Sequence, residues 1–215
     1  MRIVCLSDTH SQHENIEVPE GDLLIHAGDL TRRGTFAEVV EFARWLRSRP
    51  HRHKIVIAGN HDFLFESDPA RARALLEEVH YLEDSGVELD GIFIWGSPWQ
   101  PRFFDWAFNL DRGAPLKAKW DLIPARTHLL ITHGPPKGIL DRTFRGEHVG
   151  CEELSLAVER IAPRLHVFGH IHEQAGVHST ARTLFVNACN CDLSYRAKQP
   201  PIVVDWSDSE VSVIE

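Results

Sequence analysis

The stretch VFGHIHE, residues 167–173, sets His170 and His172 one residue apart directly behind an apolar run. The same arrangement recurs along the chain: a short run rich in Ile, Val, Leu or Phe, then polar residues able to bind a cation. Asp8 and His10 follow RIVCLS, Asp29 follows DLLIHAG, Asn60 and His61 follow HKIVIAG, and His133 follows HLLIT. Carboxylate and amide oxygens with imidazole nitrogens, and no thiolate among them, suit Mn, Fe, Zn, Ni or Co rather than a cysteine-based structural zinc. The pairs Asp8/His10 and His170/His172 are spaced i, i+2, which an extended backbone projects to one side. These donors exceed what a single ion uses. Two divalent cations sharing a bridging carboxylate fit the count, with Asp29 in the middle of the set. Two cations about 3.5–4 Å apart can clamp a phosphoryl oxygen and make a hydroxide from bound water.

Positioning those residues requires the strands that precede them. Continuous apolar runs bounded by Gly or Asp read as buried strands over 2–10, 22–29, 53–62, 128–134 and 165–172. In α/β sheets, ligands bind beyond the carboxyl ends of strands, so the polar clusters are expected to meet there. Helical patterns lie between some of the runs. One places Phe36, Val39, Val40, Ala43 and Leu46 on a stripe, with Thr35 or Gly34 as N-cap. A second stacks Ala72, Leu75, Leu76 and Val79 behind Asp68 and Pro69, and a third lines up Leu154, Val158 and Ile161 before Pro163. Asp90-Gly91 between apolar strands predicts a hairpin, residues 183–188 a strand, and 201–215 two strands turning at Ser207–Ser209. The aromatic-rich piece 96–120 has no clean period and reads as a long ordered loop, a kind that is usually functional. This order of elements predicts one α/β domain over residues 1–215, with two packed sheets and helices outside.

With 23 Lys and Arg against 31 Asp and Glu, the net charge of −8 argues against a general nucleic-acid or acidic-membrane binder. An anionic substrate remains compatible where a metal supplies local positive charge. The four scattered cysteines are too few for a disulfide framework, no stretch resembles a signal peptide, and no apolar run approaches about 20 residues. A cytoplasmic location is expected. Cys189 and Cys191 are read as strand packing, because two thiols are half a metal site.

In that order and at those strand ends, SDTH, AGD, AGNHD, ITHG and FGHIH resemble the five signatures of the calcineurin-like metallophosphoesterases. The flanking text SPWQPRFFDWAFNLDRG, THGPPKGILD, VGCEEL and PPIVVD is similar to the metallophosphoesterase-domain, fetal-brain type, class III phosphodiesterase-like subfamily and its bacterial relatives. The resemblance implies a four-layer α/β/β/α sandwich with two mixed sheets. It implies one cation held by Asp8, His10, Asp29 and His172, and another by Asp29, Asn60, His133 and His170, with Asp29 bridging. His61 would not ligate; it would lie over the phosphate with Asn60, and protonate the leaving oxygen or stabilise the transition state. Some members of the subfamily carry GGIH at the last motif, so His170 here implies a full second site. GDLTRRG lacks the aspartate-containing DRG of the Ser/Thr protein phosphatases, which argues against that activity.

The function implied is hydrolysis of small phosphodiesters, cyclic nucleotides among them, by attack of a hydroxide on the dinuclear centre, manganese being the first metal expected. The alternatives are a phosphomonoesterase with the same centre and a catalytically weak metal-binding scaffold; a nuclease is disfavoured by the charge. Arg32 is a candidate phosphate contact, though Arg32 and Arg33 read equally as a solvated pair at a helix cap. Asp62 either orients His61 or is a surface cap. His26 reads as a core histidine, His51 and His53 as solvated, and His13 and His148 as loop residues more often structural than substrate-touching. The Trp and Phe residues at 95–108 are read mainly as core and loop anchors, with base stacking the lesser reading.

Overall fold

Alternation along short strands decides which face of a sheet each side chain joins, and here both faces are apolar. The computed structural model describes residues 1–214. Its strands, in chain order, are β1 (Arg2–Leu6), β2 (Leu23–Ala27), β3 (His53–Ile57), β4 (His80–Tyr81), β5 (Ser85–Leu89), β6 (Ile92–Ser97), β7 (Gln100–Pro101), β8 (Asn109–Leu110), β9 (Leu129–Thr132), β10 (Leu165–Phe168), β11 (Gly176–Ser179), β12 (Leu184–Asn187), β13 (Ile202–Trp206) and β14 (Val211–Ile214). The helices are α1 (Phe36–Arg47), α2 (Phe63–Ser67), α3 (Pro69–Ala74), α4 (Ala114–Trp120) and α5 (Glu152–Ile161). None is long and apolar enough to cross a membrane.

Two six-stranded mixed sheets form, in the orders β14-β13-β1-β2-β3-β4 and β11-β12-β10-β9-β6-β5. Both have a parallel centre; the first is antiparallel at its β13–β14 rim and parallel at β4, and the second is antiparallel at both rims. Ile3, Cys5, Ile25 and Ile57 of the first sheet meet Ile94, Ile131, Val167 and Val186 of the second in the core between them. The alternate residues Val4, Leu6, Leu24 and Val56 face α1 and its neighbours, packing on Phe42, Leu46 and Phe65. On the far side Leu130, Phe168 and Phe185 pack on Leu116 and Trp120 of α4 and Leu154 and Val158 of α5. The result is the expected four layers, α/β/β/α. The sheets touch beyond their strand ends, where Ser7 bridges Cys189.

Helix α1 starts as its sequence dictates, with a reciprocal capping box between Thr35 and Glu38. Its buried stripe is shifted from the one expected. Val39, Phe42, Ala43, Trp45 and Leu46 are buried, whereas Phe36 is exposed, with the Arg71 guanidinium over its ring at 3.9 Å. The expected 68–79 helix ends at Ala74, and a separate short α2 precedes it. The hairpin turn is of the type that Asp-Gly favours: Asp90 and Gly91 both have positive φ, 50° and 80°. The piece 96–120 is not a plain loop. It carries the small parallel pair β7–β8 and α4, a helix of 7 residues too short to show a period.

Candidate metal centre

Five strands of the two sheets, β1, β2, β3, β9 and β10, end at the same place, and each hands over one cluster of polar residues. The backbone there is bent hard. Asp8, His10, Asp29 and His170 adopt left-handed conformations, with φ of 51°, 42°, 55° and 69°. Such backbone costs about 1–3 kcal/mol per residue and persists where surrounding structure enforces it. Two glycines let the clusters close. A Cβ at Gly59 would lie 2.3 Å from Asp29 Oδ1, and one at Gly169 would lie 2.0 Å from Asp8 Oδ2.

On one side, three acceptor atoms converge. His172 donates from Nδ1 to the Asp192 carbonyl at 3.0 Å, which leaves its Nε2 with a lone pair when the ring is neutral. That Nε2 lies 3.2 Å from His10 Nε2 and 3.2 Å from Asp8 Oδ1. One proton cannot satisfy all three atoms; a cation between them can. Without a cation the cluster holds a proton. Burial opposes charge on His172, but the hydrogen bond and field of Asp8 outweigh it and lift the imidazolium pKa to about 9. Burial drives His10 down to about 4, a neutral ring suited to ligation. Asp8 stays well below the usual carboxylate range, the His172 bond overcoming burial. Its Oδ2 accepts from Ser7 Oγ at 2.6 Å, the His170 amide at 2.9 Å and Cys189 Sγ at 3.2 Å.

The second convergence has the same form. His133 donates from Nδ1 to the Ala27 carbonyl at 3.0 Å, and its Nε2 lies 2.9 Å from Asn60 Oδ1 and 3.5 Å from Asp29 Oδ1. Burial again disfavours the charge, Asp29 outweighs it, and the pKa rises to about 9. The His170 ring stands 5.1 Å from the His133 ring, held neutral first by burial and then by His133, at about 3. Asp29 joins the two sides, Oδ1 facing His133 and Oδ2 lying 3.7 Å from His10 Nε2. Buried acceptors that face each other around a shared carboxylate fit a pair of divalent cations.

His61 sits above Asp29. Its amide donates to Asp29 Oδ1 at 2.8 Å, its Nδ1 donates to the Arg32 carbonyl at 2.8 Å, and its Nε2 lies 4.0 Å from Asp29 Oδ2. One atom each of His10, Asp29 and His61, and one each of Asp8, Asp29 and His133, cluster within 4.8 Å. A family profile described as calcineurin-like phosphoesterase matches residues 1–174, which include all of these side chains. The chain belongs to the calcineurin-like phosphoesterases.

Metallophosphoesterase domain-containing protein 1 of Homo sapiens is 46% identical to this phosphoesterase over 95% of the chain and 70% of that protein. A UPF0046 protein of Caenorhabditis elegans is 40% identical over 94% and 74%. TT1561 of Thermus thermophilus shares the fold at a TM-score of 0.63 and 14% identity, covering 99% of this chain and 97% of that one. Membership of the family makes the chain a metal-dependent phosphoric ester hydrolase, similar over most of its length to the metallophosphoesterase-domain proteins.

The eight residues expected to hold metal or move the proton lie together, and Arg32, the ninth candidate, meets them through its carbonyl on His61 Nδ1; several of their neighbours fall elsewhere than expected. Asp62 neither orients the His61 ring nor caps the surface. It is fully buried and accepts from Gly59 N, Leu30 N, Thr31 N and Thr31 Oγ1, tying two motif loops together. His51 is buried, with Nε2 bonded to the Pro19 carbonyl, and His53 is half-buried beside Asp90, so neither is solvated. His26 is the expected core histidine, bonded through Nε2 to Thr9 Oγ1. His13 is buried against Phe42 and Trp45, and His148 pairs with Asp141 at 2.6 Å. Cys191 packs as expected, while Cys189 touches Asp8 itself. The Arg32 guanidinium lies over the Tyr195 ring at 5.3 Å.

Three neighbours of the site were not foreseen. Ser7 lies within SDTH without an expected role, and Tyr195 and Asp192 carry no pattern of their own. The Tyr195 ring stands edge-on to His10 at 4.6 Å, on a turn that Asp192 closes by accepting from the amides of Ser194 and Arg196. Tyr195 and Asp192 arrive from the segment after β12, and the bridge between Ser7 and Cys189 brings that segment to the centre.

Proposed function

We propose that this phosphoesterase hydrolyses small phosphodiesters, cyclic nucleotides among them, at a centre of two divalent cations. The observation that carries the two-cation part is the Asp29 carboxylate, with one oxygen toward His133 and the other toward His10. Asp8, His10, Asp29 and His172 would hold one ion, and Asp29, Asn60, His133 and His170 the other. When bound, such ions bind phosphoryl oxygens, offset transition-state charge and acidify a water. Mn is the first choice for this mixed oxygen and imidazole set; Fe, Zn, Ni and Co accept the same donors.

The chain's own residues do the rest. His61, its Nδ1 proton held by the Arg32 carbonyl, would carry a second proton on Nε2, pass it to the leaving oxygen and be left as the neutral ring, a role worth typically about 10²–10⁴ in rate. Asn60 and the Arg32 guanidinium would contact non-reacting phosphate oxygens. Diesters take precedence because the motif text resembles the phosphodiesterase-like subfamily. A small substrate, and no nucleic-acid or membrane partner, accords with the charge of −8.

The test is a paired assay on metal-stripped protein reloaded with Mn²⁺, comparing bis(p-nitrophenyl) phosphate with p-nitrophenyl phosphate, in wild type and His61→Ala. Diester turnover that is lost in His61→Ala while metal is retained supports the proposal. Monoester turnover alone makes the chain a phosphomonoesterase. Silence on both with two metals bound leaves a binding scaffold.

A further inference from the structure

We infer that Trp106 is a positioning residue for His61, and that the aromatic segment carrying it is a buttress of the site rather than a lid. The inference rests on the proton-transfer role proposed for His61. The indole and imidazole centroids are 4.1 Å apart, with their planes inclined by 39°. Phe63 stacks behind the indole at 5.9 Å and 30°. The segment is latched to the motif it supports. The Ala107 amide donates to the Asn60 carbonyl at 3.1 Å, and the Phe108 amide donates to Glu66 Oε1 at 2.8 Å. Ala107 and Phe108 are buried. So the residue before His61 is tied directly to the residue after Trp106.

His61 needs this support. Among the described residues its ring makes one hydrogen bond, from Nδ1 to the Arg32 carbonyl. A single bond of that kind leaves an imidazole free to swing about the N···O line. The Trp106 face blocks that swing on one side, and the His10 ring, 4.5 Å away and nearly perpendicular, limits it further. The ring is thereby held with Nε2 over the Asp29 carboxylate. A displacement of about 1 Å in a reacting group can cost about 10² in rate, so loss of the packed indole is expected to reach the chemistry.

The experiment uses the Mn²⁺-loaded protein with wild type, Trp106→Ala, Trp106→Phe, His61→Ala and the double variant H61A/W106A. Trp106→Ala is expected to lower kcat by at least about tenfold with KM and bound metal unchanged. Trp106→Phe, which keeps an aromatic face, should restore most of it, and the double variant should be no slower than His61→Ala. Unchanged kcat in Trp106→Ala overturns the inference. So does a double variant slower by the product of the single effects, or loss of metal and kcat together. A second readout needs no turnover. In Zn²⁺-loaded protein, ¹H–¹⁵N spectra of the histidine rings should show the bonded His61 Nδ1 proton in wild type and Trp106→Phe, and its loss in Trp106→Ala. If no phosphoester is turned over but that proton still depends on Trp106, the hydrolase proposal fails and the positioning role stands. A proton that persists in Trp106→Ala overturns the positioning role whatever the activity.

Discussion

His10 Nε2 and His172 Nε2 face each other across 3.2 Å, although His10 follows a strand of one sheet and His172 a strand of the other. Asp8 Oδ1 completes the triangle at 3.2 Å from His172. Three basic atoms at this spacing repel unless something positive lies among them. In the cation-free chain that is a proton, and the protein's response to pH should reveal it.

Metal-free protein should lose stability in mild alkali. His133 and His172 have folded pKa values of about 9, above their ordinary value of 6.5, so the stabilisation from protonating them is fully present below about 6.5 and lost as pH rises through about 9. Asp8 and Asp29, held below their ordinary 3.8, act oppositely: their contribution is present above that value and lost as pH falls. Thermal melts of stripped protein should show Tm declining between pH 6.5 and 9. Reloaded protein should show no such decline, because bound cations displace those protons.

Cation binding should release protons. Below pH 9 each convergence must surrender one before an ion can enter, so apparent affinity should rise with pH and level off near 9. Calorimetric titration with Mn²⁺ in two buffers of different ionisation enthalpy measures the protons directly. Binding without proton release would mean that the two histidines are already neutral.

Ser7→Ala should weaken metal binding without removing a ligand. Ser7 Oγ donates to Asp8 Oδ2 at 2.6 Å and fixes that carboxylate's orientation. Loss of such an outer partner typically costs about 10–100-fold in affinity. Competition with a chelator measures the change, and Cys189→Ala, which removes a longer contact of 3.2 Å, should cost less.

Gly169→Ala should damage fold and site together. The new Cβ would lie 2.0 Å from Asp8 Oδ2 and 2.1 Å from Ser7 Oγ, so the FGHIH turn or Asp8 must move. Overpacking of this kind costs about 1–3 kcal/mol. Denaturant melts would give the stability change, and metal content should fall in parallel.

The two sheets and the convergence of eight candidate residues were legible because each signal is local. An apolar run marks a buried strand, and the residue just past its end faces the ligand side. The capping box at Thr35 and the Asp90-Gly91 turn are local too. What stayed hidden depended on distant parts of the chain. Asp62 was open between orienting His61 and capping the surface, because the Leu30 and Thr31 donors it receives lie 32 and 31 residues away in sequence. His51 lies in a basic, polar-looking turn, yet the Pro19 carbonyl buries it. Phe36 fits the helical period of α1 but stays exposed, since a period says nothing about what a helix end packs against. Tyr195 and Trp106 reach the centre from loops whose paths only the packed sheets determine.

The most direct test of the two-cation centre counts and couples the ions. Metal-stripped protein is reloaded with Mn²⁺, its stoichiometry measured and its electron paramagnetic resonance recorded, for wild type and Asp29→Asn. Two Mn²⁺ per chain with an exchange-coupled spectrum are predicted, as ions about 3.5–4 Å apart across a shared carboxylate require, with coupling lost in Asp29→Asn. A single ion per chain, or two ions that do not sense each other in the wild type, would contradict a centre bridged by Asp29.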